Sequence, residues 1–124
     1  MANPEEQKKE VKFYSREESE EFKEIIDHKL EDAYAELGLM QNQIQRSEVD
    51  KLNVTEFSSD MADNQNMERL MARQRKFIGS LERALVRIRE GRYGRCKVSG
   101  DLIPKARLRA VPHTEVTIEV KMKQ

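Results

Sequence analysis

From Met67 to Ile88, apolar side chains recur at every third or fourth position. Met67, Leu70, Gln74, Phe77, Leu81, Ala84 and Ile88 are spaced 3, 4, 3, 4, 3 and 4. This is the a/d stripe of a coiled-coil helix, and a stripe this narrow requires a partner helix. Met71, Ile78 and Leu85 widen it on one side. An earlier segment carries the matching pattern. Ile26, Leu30, Ala33, Leu37, Met40, Ile44 and Ser47 are spaced 4, 3, 4, 3, 4 and 3, with Phe22 one step before them. Paired antiparallel, 26 falls level with 88, 40 with 74 and 47 with 67, and every such pair sums to 114. The two segments predict a helical hairpin turning near residue 57.

The ends of these helices are marked by residue type. Ser15-Arg16-Glu17-Glu18 has the S-x-x-E form of a capping box and opens a first helix of about 16–51. Residues 52–59, LNVTEFSS, break the pattern. Their Asn, Thr and Ser side chains compete for backbone hydrogen bonds and favour a turn. Ser59 or Asp60 can cap the second helix, and Asp60 and Asp63 then sit in its first turn. Gly91 suits its C-terminal stop. Gly38 and Gly79 lie inside the two helices, each a tolerated surface glycine or the mark of a bend or close approach.

Beyond Arg92 the texture changes. Ser99-Gly100-Asp101 reads as a hairpin turn between two short strands, and Pro104–Leu108 as one helical turn with proline at its start. Val116, Ile118, Val120 and Met122 alternate with polar residues, a period-2 signal that argues for a strand. The chain therefore divides into an N-terminal segment (1–14), a coiled-coil hairpin (15–91, with its tip near 52–63) and a small C-terminal module (92–124). Phe13 and Tyr14 adjoin the base of the hairpin and are candidates to pack on the module.

Composition fits this layout. With 37% hydrophobic and 37% charged residues and no Trp, the 124-residue chain cannot fill a thick core, whereas a thin seam needs few apolar residues. The net charge of zero is polarised. Residues 1–66 hold 17 acidic and 8 basic side chains, and 67–124 hold 6 and 15. Antiparallel pairing sets the acidic arm beside the basic one and suits both helix dipoles. A single cysteine allows no intrachain disulfide. No apolar run approaches the ~20 residues of a membrane span, and the N-terminus lacks a signal peptide's apolar core. The expected setting is cytoplasmic, with no membrane partner.

The S-R-E-E start, the long hairpin and the tip D-x-x-D of Asp60 and Asp63 precede a denser signature. It comprises Tyr93-Gly94-x-Cys96, Gly100, Ile103-Pro104, Arg107-Leu108 and Pro112. Together they resemble the DksA/TraR family of bacterial proteins that bind RNA polymerase. The resemblance implies a mainly α fold: a long antiparallel helical hairpin with a small zinc-finger-like C-terminal module. In the family that module carries four zinc cysteines. The matching positions here are Cys96, Ser99, Thr117 and Val120. Structural zinc takes four thiolate or imidazole donors, so no zinc or other cofactor is expected. An apolar cluster of Tyr93, Val98, Leu102, Ile103, Leu108, Val111, Val116, Ile118 and Val120 is expected to hold the module instead. The family continues into a helix at the last two ligand positions, which stands as the alternative to the strand.

The resemblance implies a transcription regulator, not an enzyme, whose coiled-coil tip enters the polymerase secondary channel and modulates initiation. Its partner-binding residues would be Asp60, Asp63, Asn64 and Phe57. Gln65 stands where the family tip often has alanine. A guanosine alarmone is left open as a further partner, and sequence-specific DNA binding is not expected, since net charge is zero and no reading helix stands out. Two other readings compete. One is a transcript-cleavage helper acting through the acidic tip; the other is a coiled-coil scaffold or oligomerisation protein with no polymerase link.

Overall fold

The computed structural model describes the backbone of residues 13–51 and 58–123, and the side chains of 13–46 and 63–123. It contains helices α1 (Arg16–Lys51), α2 (Ser58–Arg89), α3 (Lys105–Ala110) and α4 (Ile118–Lys123). The protein is mainly helical, and among the described residues the only β pairing is one antiparallel bridge, Arg95 with Leu102. Residues 13–28 with 81–123 form one compact unit, and 29–51 with 58–80 form another.

Both long helices end as their sequences dictate. The amide of Ser15 donates to Glu18 Oε1 and that of Glu18 to Ser15 Oγ, each at 3.1 Å, closing the capping box reciprocally. At the end of α2, Arg92 N donates to Arg87 O (2.9 Å) and Gly91 N to Ile88 O (3.2 Å). This is a Schellman cap, with Gly91 at φ 74° in the left-handed position.

In the unit of 29–80 the two arms run antiparallel, but not in the expected register. Gln74 Nε2 donates to Ala33 O and to Glu36 Oε2, both at 3.0 Å. A glutamine leans toward the N-terminus of its own helix, here toward higher numbers on α1. It could not reach back to Ala33 from a position level with Met40. The arms are therefore offset by about one turn from the predicted pairing. The seam of α2 is rotated to match. Met71 and Ile78 are buried, Gln74 and Phe77 are half-buried, and Leu70 is exposed. Of the residues expected to widen the stripe, Met71 and Ile78 are buried and Leu85 is half-buried, while Leu81, Ala84 and Ile88 are buried as the spacing predicts.

The other unit holds the better-packed core. Phe22, Ile26, Leu81, Ala84, Tyr93, Cys96, Ile103 and Leu108 are all buried. Phe22 lies between two tyrosines, its ring centroid 5.9 Å from Tyr14 and 5.6 Å from Tyr93. These separations suit tilted aromatic pairs.

The last segment forms α4, not a strand. Thr117 Oγ1 accepts from Val120 N at 3.4 Å and caps the helix, and Lys121 N donates to Thr117 O at 3.0 Å. Glu119 lies in the first turn and Lys121 and Lys123 in the last, as the helix dipole favours. The alternation misleads because its apolar face is not covered: Ile118 and Met122, four apart on one helix stripe, are both exposed. The two strands expected around Ser99–Asp101 likewise reduce to the single Arg95–Leu102 bridge.

Candidate functional site

The sequence nominates two places, the start of α2 and the four finger positions of the module. At the first, Asp60 lies in the opening turn of α2. Asp63 is exposed and Asn64 half-buried. Asp63 and Asn64 line a shallow pocket of about 260 Å³ with Gln43, Ile44, Asn66 and Met67. Carboxylates in a first helical turn are favoured by the helix dipole, so Asp60 also fits a purely local role; α2 begins at Ser58, earlier than expected, and Asp63 as its sixth residue lies beyond that turn. Phe57 lies outside the described residues.

At the second place, the chain turns tightly around Cys96. Cys96 N donates to Asp101 O (2.8 Å), Gly100 N to Cys96 O (2.9 Å) and Ile103 N to Gly94 O (2.7 Å). The sulfur is buried and accepts from Ser99 N at 3.4 Å. Burial pushes the thiol pKa up. The Ser99 hydroxyl and the amides of Ser99, Thr117 and Val98 outweigh it and bring the thiol down to about 6. Cys96, Ser99 and Thr117 are thus brought together. Val120 joins them through the hydrogen bond that its backbone N–H donates to Thr117 Oγ1.

The apolar cluster expected to hold the module is only partly found. Tyr93, Ile103, Leu108 and Val116 are buried, whereas Val98, Leu102 and Ile118 are exposed. Hydrogen bonds that the sequence reading missed do the rest. Tyr93 Oη donates to Pro112 O at 2.7 Å, and the buried phenol's pKa is raised by desolvation. Arg107 donates to Val116 O (2.9 Å) and to Thr114 Oγ1 (3.2 Å), tying α3 to the loop before α4. Arg87 and Lys97 both donate to Glu115, at 3.0 and 3.1 Å.

The segment before α1 is anchored on the same module. Tyr14 N donates to Tyr93 O at 3.0 Å, and Tyr14 Oη donates to Ile103 O. The tyrosine ring lies where a side chain on residue 94 would be: a Cβ there would stand 2.1 Å from Tyr14 Cδ2. Gly94 also has φ 91°, so it is required twice over. Two ion pairs add to the attachment of α3 to α1: Lys105 with Glu18 (3.2 Å) and Arg109 with Glu21 (2.6 Å).

A family described as the prokaryotic dksA/traR C4-type zinc finger matches residues 91–124. The chain is 36% identical over 74 residues to the RNA polymerase-binding transcription factor DksA of Caulobacter vibrioides, a match covering 54% of this chain and 52% of that protein. The likeness is to the DksA/TraR family. General stress protein 16O of Bacillus subtilis is 38% identical over 47 residues, covering 38% of this chain and 29% of that one. The match thus spans about half the length of the DksA relative and less of the stress protein. Transcription factor DksA2 from Pseudomonas aeruginosa shares the fold, with a TM-score of 0.76 at 23% identity over 86% of this chain and 81% of that chain.

Against the C4 finger of the family, this chain's donors do not fit zinc. One thiol, two hydroxyls and a valine replace four thiolates, and both hydroxyls are engaged in hydrogen bonds at the site. Among the described residues, no three His, Cys, Asp or Glu side chains are grouped to hold a metal ion. Nor is any described helix long and apolar enough to cross a membrane.

Proposed function

We propose that this protein binds RNA polymerase and regulates transcription without catalysing a reaction of its own. Its hairpin would enter the polymerase secondary channel with Asp60, Asp63, Asn64 and Phe57 leading, and alter the stability of initiation complexes. The observation that carries the reading is the combined likeness: a DksA/TraR-type module, 36% identity to a protein named as a polymerase-binding factor, and a shared fold. The exposure of Asp63 at the start of α2 supports a contact role for it. Carboxylates delivered into a pore can meet basic side chains or a bound magnesium there.

The module is proposed to hold without zinc, through the hydrogen bonds of Arg107, Tyr93 and Glu115 and the core around Tyr93. The proposed setting is the cytoplasm, and sequence-specific DNA contacts are not part of the reading. The test is retention of host RNA polymerase by the immobilised protein. Asp60→Ala with Asp63→Ala should weaken retention at least tenfold while helicity is unchanged. Equal retention by both would remove the tip from the mechanism; no retention of polymerase by the wild type, even at low salt, would end the proposal. Adding a guanosine alarmone to the same assay tests whether it is sensed.

A further inference from the structure

In the unit of 13–28 and 81–123, the first two turns of α1 and the last two of α2 border a groove of about 390 Å³. Arg16, Glu20 and Lys23 line it from α1, and Leu85, Ile88 and Arg89 from α2. The floor is apolar: Ile88 is buried and Leu85 half-buried. The four charged residues are all exposed. Arg16, Glu20 and Lys23, spaced 4 and 3, share one face of α1. At that spacing Glu20 is within reach of either cation, yet it pairs with neither. Among the described residues, Glu20, Arg16 and Arg89 take part in no ion pair. Lys23 pairs with Asp27 at 3.1 Å, with both side chains about half exposed. A pair so open to water is readily exchanged.

Three cations and one carboxylate leave the lining with a surplus of two positive charges. Arginine and lysine stems lie along apolar surface while their heads stay in water, so this rim adds apolar area to the floor as well as charge above it. A hydrated inorganic anion would answer the cations but leave Leu85 and Ile88 uncovered. An uncharged apolar molecule would cover the floor and leave the cations unanswered. One molecule with an apolar body and a single carboxylate does both, and a guanidinium fork matches the two carboxylate oxygens. The volume lies within the range of small-molecule sites. We propose that this groove binds a small organic acid, with one carboxylate on an apolar body of about six to ten carbons. Arg16 and Arg89 would take the carboxylate and Leu85 with Ile88 the body, while Glu20 limits the affinity by repulsion. The proposal does not rest on polymerase binding and can fail or stand separately from it.

Amide NMR titration of the full chain with decanoate, below its micellar concentration and in low-salt buffer, tests it. Saturable shifts are expected, centred on residues 16–23 and 85–89. Affinity should rise at least threefold from octanoate to decanoate, since a fully buried methylene multiplies it roughly fourfold. Acetate, which lacks the body, and decanol, which lacks the charge, should each bind at least tenfold more weakly than decanoate. Arg16→Gln with Arg89→Gln should weaken decanoate binding fivefold or more. Arg69→Gln with Arg73→Gln, an equal change of net charge elsewhere on α2, should leave it within twofold. Glu20→Gln should tighten it twofold or more, and decides the matter if the first double variant loses helicity. N-acetyl-leucyl-leucine presents a carboxylate beside apolar side chains and should bind at least fivefold more weakly; equal affinity would assign the groove to a peptide terminus and overturn the free acid. No binding, no gain with chain length, decanol equal to decanoate, an equal loss in both double variants, or no tightening by Glu20→Gln would also overturn it.

Discussion

Gly94 and Tyr14 together show what a single residue position can demand. A methyl group on residue 94 would meet the tyrosine ring at 2.1 Å, on a backbone already at φ 91°. Gly94→Ala should therefore destabilise the protein by about 1–3 kcal/mol in urea unfolding. Gly38 is the opposite case, because nothing lies within 4 Å of where its Cβ would be. Gly38→Ala should stabilise by about 0.5–1 kcal/mol in the same measurement. The sequence names both glycines but does not distinguish them, since the difference lies in what packs against each. The Ser15–Glu18 box was legible because both partners are local. The hydrogen bonds of Tyr14 to residues 93 and 103 join positions far apart in the chain, and no local pattern announces them.

Cys96 gives the clearest pH signature. Its thiol is brought from 9.0 down to about 6 in the folded protein. The fold thus favours the thiolate. That contribution is complete above pH 9, shrinks as pH falls through the interval from 9 to 6, and is gone below it. The stability advantage of the wild type over Cys96→Ala should accordingly be larger at pH 9 than at pH 5.5. Thiolate absorbance should titrate near pH 6. An absorbance midpoint near 9 would show that the surrounding amides do not hold the charge.

Among the elements, the long helices were the most legible, because a stripe sustained over six steps leaves little choice of period. Their alignment was less so. Leu70 and Met71 are adjacent and both apolar, so either can serve the seam; in the fold Met71 is buried and Leu70 is not. The bonds from Gln74 to Ala33 and Glu36 favour the observed alignment. A polar seam residue specifies register at some cost in stability. Gln74→Leu should raise stability by about 1 kcal/mol and broaden the distance distribution between spin labels at residues 43 and 69. An unchanged, narrow distribution would show that the alignment is fixed elsewhere. In α4, six residues were too few to separate a period of 2 from a capped helix. The informative residue was Thr117, whose capping hydroxyl occupies a finger position.

At the scale of the whole molecule, the family signature of 91–124 survives while three of its four zinc cysteines do not. The backbone turns run tightly around one sulfur, supported by side-chain bonds from other parts of the unit. The DksA-like fold was legible through residues required by those turns, notably Gly94, Gly100 and Pro104. Its substitute network was not, because it depends on which residues face one another. Excess chelator should leave the unfolding temperature within about 1 °C and release less than 0.1 equivalent of zinc, since metal ligation contributes on the order of 10–16 kcal/mol where it does hold a finger. A large downward shift would show that metal is retained through other ligands. The central claim concerns the polymerase, and photo-crosslinking tests it most directly. A crosslinking residue in place of Gln65, which is exposed beside Asp63 and Asn64, is predicted to label polymerase segments bordering the catalytic centre. Labelling confined to the outer surface, or none at all under conditions where the complex forms, would contradict it.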